Sequence, residues 1–236
     1  LGDGYPFQMS ADLLSLRGDV ERDSYAFLLV SDLGHHFVEL KDALTPDTHS
    51  GMLMEKVVEA ATRGIFGRSQ RFGWPREQEW PTGIKKRVKR LAKELGVPVD
   101  SLKRKVVPAD NDRTLDVVAI MSLDDTHEAS LIVLVQCAAG QNWKSKLGDP
   151  SIAAWDNLLQ WQSPLVRAVA RPWRLGGRQS DWTYGRVYSM SNHAMVLDRP
   201  RLLAGRPDTH LDARVRPQLN DWWTSAIAKI PNSLST

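Results

Sequence analysis

Between Gly51 and Arg63, apolar residues recur every three or four positions, at Leu53, Met54, Val57, Val58 and Ala61, with Ile65 beyond. That is the repeat of an amphipathic helix, and Gly64 is its expected stop. Glu55 and Glu59 lie one turn apart on it. Upstream, Tyr25 to Leu33 is apolar enough for a buried helix capped by Ser24, and the rest of the first fifty residues show no clear pattern. Phe66 to Pro81, rich in Arg, Trp and Pro, reads as a loop. A second helix opens at Thr82 and closes at Gly96, with Ile84, Val88, Leu91, Ala92 and Leu95 as its apolar side.

After that the period shortens from 3.6 toward 2. Lys105–Val107, Thr114–Leu123 and Ser130–Ala139 are rich in Val, Ile and Leu, are separated by Pro, Asp and Asn, and read as three consecutive strands. A helix from Ser151 to Trp161, a short strand from Leu165 to Ala170, an extended region from Arg186 to Leu197 and a helix from Pro217 to Ile230 complete the expected order. Helix, three strands, helix, strand implies an α/β fold with a central mixed sheet flanked by helices. The expected organisation is an N-terminal helical extension (1–50), a core (51–172), and a C-terminal strand and helix (173–236) that complete the same domain.

With 42% apolar and 25% charged residues over 236 positions, the chain can bury a core and is not a disordered or fibrous sequence. Its longest nearly apolar run, Leu131 to Ala139, contains Gln136 and falls far short of a bilayer span, so no membrane association is expected. Leu1 to Phe7 lack the basic-then-apolar pattern of a secretory leader. One cysteine, Cys137, cannot form an internal disulfide, which points to a cytoplasmic setting. Net charge is only +3, but the excess is local: Lys85, Lys86, Arg87, Lys89, Arg90 and Lys93 share one helix. With Arg68, Arg71, Trp74 and Arg76 in the preceding loop they make an aromatic and cationic surface suited to phosphates and bases. Lys85, Lys86, Lys89, Arg90 and Arg71 are the candidate nucleic-acid contacts.

The chemistry concentrates in the second and third strands. In an antiparallel hairpin the numbers of opposed residues have a constant sum, and a turn centred on residue 126 makes it 252, which sets Asp116 opposite Gln136. A slip of one residue would send them to opposite faces. A carboxylate among Val, Ala and Ile must be paired, solvated or metal-bound, or it costs about 1 to 3 kcal/mol or more. Asp116, the Gln136 amide oxygen, the Cys137 carbonyl and a helix carboxylate would together suit a hard cation such as Mg²⁺ or Mn²⁺.

This pattern, with Gly51-Met52-Leu53-Met54-Glu55 opening a helix, an acid on the second strand and Gln at the end of the third, resembles the PD-(D/E)XK restriction-endonuclease-like nuclease superfamily over about residues 51 to 172. The resemblance implies a restriction-endonuclease-like core and a Mg²⁺-dependent DNA endonuclease. Glu55, with Glu59 as substitute, Asp116, Gln136 and the Cys137 carbonyl would hold the metal. It also implies bacterial host defence or DNA processing beside other subunits. The family lysine expected two residues after the third ligand is Ala138 here. Either Lys144 or Lys146 has taken that role, Lys144 being favoured, or the copy is a non-catalytic nucleic-acid-binding subunit. Each nominee also has an ordinary role: Glu55 and Glu59 on a solvated helix face, Asp116 pairing with Arg113, Gln136 bonding a neighbouring strand, the lysines as surface charge. The histidines show no zinc spacing, and no glycine-rich phosphate loop occurs.

Overall fold

The Val-, Ile- and Leu-rich runs become strands because both of their faces find apolar cover. The computed structural model describes residues 7–10, 13–16, 23–36, 47–96, 112–121, 131–156, 158–159, 161, 163–174 and 194–229. A small hairpin, β1 (Phe7–Ser10) and β2 (Leu13–Leu16), precedes α1 (Asp23–His36), α2 (Thr48–Phe66), β3 (Gly67–Arg71) and α3 (Ile84–Leu95). Then come β4 (Val117–Met121), β5 (Leu131–Cys137), a 3-10 helix (Gln141–Lys146), α4 (Ile152–Asp156), β6 (Leu165–Ala170) and β7 (Ala194–Leu197). Three helices end the described chain: α5 (Arg199–Ala204), α6 (Pro207–His210) and α7 (Val215–Ala228).

One five-stranded sheet has the order β3-β4-β5-β6-β7. Its first three strands are antiparallel neighbours, and β6 and β7 run parallel to β5. Val117 faces Val135 and Ile120 faces Ile132, so opposed numbers sum to 252, the expected register. Alternation then sorts the side chains. Val117, Ala119, Val133, Val135 and Ala168 pack on Leu53, Met54, Val57 and Val58 of α2. Val118, Ile120, Ile132 and Leu134 pack on Ile84, Val88 and Leu91 of α3 and on Trp155, Leu158 and Leu159. The chain is thus an α/β protein with a mixed sheet between helices. Among the described residues, no helix is long and apolar enough to cross a membrane.

Several boundaries differ from expectation, each for a physical reason. α2 starts at Thr48 because Asp47 caps it reciprocally with Ser50: the Ser50 N–H donates to Asp47 Oδ1 at 2.7 Å, and the Asp47 N–H donates to Ser50 Oγ at 2.8 Å. It does not stop at Gly64, which sits inside the helix to let α5 approach; a Cβ there would collide with the Gly205 carbonyl. Part of the expected loop from Phe66 to Pro81 is the edge strand β3. α3 starts at Ile84, after Gly83, and ends at the expected Gly96. α4 is shorter than expected, and the Trp161 indole N–H donates to the Trp155 carbonyl at 2.9 Å. β6 has the expected bounds. α7 begins at Val215, which places Pro217 in its first turn. Ser24 lies within α1, where its N–H and hydroxyl both donate to Asp208 Oδ1, at 3.0 and 2.6 Å. Lys105–Val107 and residues 186–193 of the extended region lie outside the described residues.

Candidate functional site

β4 begins immediately after Asp116, whose backbone ties three strands together at one end of the sheet. Its N–H donates to the Val135 carbonyl at 3.0 Å, and its carbonyl accepts from the N–H groups of Phe72 at 2.7 Å and Gly73 at 3.0 Å. The side chain is equally fixed. Asp116 Oδ2 accepts from the Cys137 N–H at 2.6 Å and from Gln136 Nε2 at 2.6 Å. The same Nε2 lies 3.1 Å from the Cys137 carbonyl oxygen. Gln136 Oε1 is buried and accepts no hydrogen bond among the described residues. This is the carboxyl end of β5 and β6, where open α/β sheets place their ligands.

Glu55 reaches the same end from α2. Its carboxylate fills the space beside Gly73 so closely that a Cβ on Gly73 would overlap it. It forms an ion pair with Arg71 at 2.7 Å. Arg71 also faces Glu77 at 3.3 Å and donates to the Pro75 carbonyl at 2.7 Å. Burial outweighs Arg71 and raises the Glu55 carboxyl from the usual 4.5 to about 7, with Asp112 and Glu77 adding to the effect. Asp116 is pushed well above the ordinary aspartate value, first by burial and next by the Glu55 charge. Two acids that each resist ionisation sit within electrostatic reach of one another.

The nominated residues divide accordingly. Glu55, Asp116, Gln136 and Cys137 are brought together. Glu59, one turn along, instead pairs with Arg63 at 3.2 Å. Cys137 contributes backbone groups only, since burial first, then Asp116 and Glu55, hold its thiol well above the usual range. Of the two lysines, Lys146 is half-buried and its charge favours ionised Asp116, the least of the causes acting on that carboxyl, while Lys144 is exposed and lies 5.9 Å from the Trp143 ring. Ala138 packs with Trp143, Val169 and Trp173, which leaves no lysine at the family position.

The nucleic-acid candidates also separate. Lys85, Lys86 and Lys89 are exposed along α3. Arg90 is half-buried, bonded to the Glu79 carbonyl and set 4.8 Å from the Trp80 ring. Arg71 is only 2% exposed, and its commitment to Glu55 removes it from the surface expected of it. Sequence reasoning missed Arg87, which is buried and bonds the Phe72 and Gly73 carbonyls. Its spacing from Ile84 and Leu91, three and four residues away, was the available signal. A cleft of about 620 Å³ is lined by Arg71, Lys56, Glu59, Glu77 and Arg214 among others; Glu55, Asp116 and Gln136 do not line it.

The oxygens at the cluster are hard donors, two carboxylates, an amide and a carbonyl. Among the described residues, no three His, Cys, Asp or Glu side chains gather closely enough to hold a metal alone. Comparison with protein-family models, curated proteins and solved structures finds no match.

Proposed function

We propose that the chain is a divalent-metal-dependent DNA endonuclease with a restriction-endonuclease-like core, in which Asp116, Gln136, the Cys137 carbonyl and Glu55 hold Mg²⁺ or Mn²⁺. The observation that carries this reading is the convergence of Asp116 and Gln136, with Oδ2 and Nε2 2.6 Å apart, on the Cys137 carbonyl at the carboxyl end of β5, with a second buried acid, Glu55, near them. The antiparallel run β3-β4-β5 with β6 parallel to β5, preceded by α2 and with α4 between β5 and β6, supports the fold reading, although α3 stands between β3 and β4 and the first strand is β3, not the Lys105–Val107 run expected.

The donor set fits such a cation on chemical grounds. Of the two buried acids, Glu55 shares the single guanidinium of Arg71 with Glu77, and among the described residues the Gln136 amide oxygen has no partner while its nitrogen stands between two oxygens. A half-turn of that amide exchanges nitrogen for oxygen at the point where Asp116 and Cys137 meet. The ion, when bound, supplies charge for a phosphodiester and lowers the pKa of water. The chain supplies the rest. Asp116 is held by the Cys137 N–H and the β4 backbone, so it can stay in place as its partner changes. Lys146, whose positive charge favours the ionised form of Asp116, suits the stabilisation of negative charge on phosphate. The exposed lysines of α3 suit backbone contacts to the flanking strand.

Cleavage of plasmid and oligonucleotide DNA in Mg²⁺ or Mn²⁺ tests the proposal. The wild type should cut only with metal, and Asp116→Asn should lose at least about 100-fold in rate while its melting temperature stays within a few degrees. A second reading has its own support. Ala138 replaces the expected lysine and Arg71 occupies Glu55, as suits a binding subunit that keeps the fold without the reaction. Salt-sensitive DNA binding in EDTA, with no cleavage in either metal, would favour that alternative.

A further inference from the structure

Trp74 is 49% exposed, and among the described residues it is the only exposed tryptophan. A lone apolar side chain at a surface is ordinary. What sets Trp74 apart is its mooring. The preceding residue, Gly73, lies against the Glu55 carboxylate and donates its N–H to the Asp116 carbonyl at 3.0 Å. The Gly73 carbonyl accepts from Arg87 at 3.3 Å, and the Trp74 N–H donates to Asp112 Oδ2 at 3.1 Å. Arg87 itself is buried and stands 5.8 Å from the Trp74 ring, within cation–π range. The indole is therefore carried on backbone fixed by the same residues that form the acidic cluster. Arg87 belongs to α3, the helix that also carries the exposed Lys85, Lys86 and Lys89.

We propose that Trp74 is a stacking platform for an unpaired nucleobase next to the cluster, so that the preferred substrate is a single strand or an opened strand end. A half-exposed indole on anchored backbone, together with the exposed lysines of α3, offers the elements of single-strand recognition: charge along the backbone and an aromatic face for a base. A paired base keeps its faces within the duplex and cannot use the platform. The inference rests on the nucleic-acid reading above and narrows its substrate class.

Binding is measured in EDTA by fluorescence anisotropy, with a labelled single-stranded oligonucleotide and with the duplex of the same sequence. One stacked base predicts that Trp74→Ala weakens single-strand binding roughly 5- to 150-fold. Duplex binding should change less than about 2-fold, and Trp74→Phe should keep most of the single-strand affinity because a ring remains. Equal affinity of Trp74→Ala and wild type for the single strand overturns the inference. So does an equal loss on both forms, or failure of the wild type to bind either. Trp74-dependent binding without cleavage in Mg²⁺ or Mn²⁺ supports the platform while refuting the endonuclease. Cleavage that is insensitive to Trp74 does the reverse.

Discussion

Replacing Glu55 by Gln keeps the side chain's shape and removes its charge, which makes the burial of that charge measurable. In the folded chain Glu55 ionises near 7, against a usual value of 4.5, chiefly because burial disfavours its charged form. The unfolded chain therefore releases this proton first as pH rises, and stability is lost between those two values. The difference sets a total loss of about 3 kcal/mol, of which about 2 kcal/mol falls between pH 5.5 and 8. Arg71 complicates the absolute stability of the variant, because its guanidinium would keep only Glu77, at 3.3 Å, as a charged partner. That cost does not vary with pH in this range, whereas loss of the Glu55 charge also relieves the upward push on Asp116, so the change in slope reports the two acids together. Urea unfolding in EDTA at pH 5.5 and 8 should show the wild type losing stability as pH rises. Glu55→Gln should lose about 2 kcal/mol less over the same interval. Identical slopes for the two proteins, or a wild type that gains stability toward pH 8, would refute the assignment of a buried, reluctant carboxylate to Glu55.

Lys146, whose charge favours ionised Asp116, should matter to any cleavage; Lys146→Ala is expected to slow it at least about 10-fold and Lys144→Ala less than about 2-fold, measured as single-turnover rates. Gly64→Ala should destabilise the fold by about 1 to 3 kcal/mol, read by urea unfolding, because the added methyl meets the Gly205 carbonyl where α2 and α5 cross.

The strands that were legible in the sequence are those whose side chains are buried on both faces. Val117 to Ile120 and Ile132 to Val135 carry their own signal, and the turn between them fixed the register that sets Asp116 beside Gln136. β3 carried no such signal. Gly67, Arg68, Ser69, Gln70 and Arg71 are mostly polar because, among the described residues, the strand is an edge paired only with β4, and its conformation comes from that partner. Local pattern also misassigned Gly64, which serves a contact with a residue far along the chain. α5 and α6 are too short for a helical period to show.

At the site, spacing nominated the acids but not their environment. Arg71 reads as a surface cation until the strand containing it turns its side chain toward α2, where Glu55 waits. The choice between Lys144 and Lys146 depends on the 3-10 helix that carries both, whose geometry no apolar repeat encodes. The resemblance to PD-(D/E)XK nucleases pointed to residues that do come together, yet it placed a lysine where this chain has Ala138 within an aromatic cluster.

Whether the cluster takes a hard cation is answered most directly by titrating Mn²⁺ into metal-free protein at pH 7.5, followed by calorimetry. The account predicts a saturable site whose occupation releases protons, and a loss of at least about 10-fold in affinity for both Asp116→Asn and Gln136→Ala. No saturable binding by the wild type, or unchanged binding by Asp116→Asn, would contradict it.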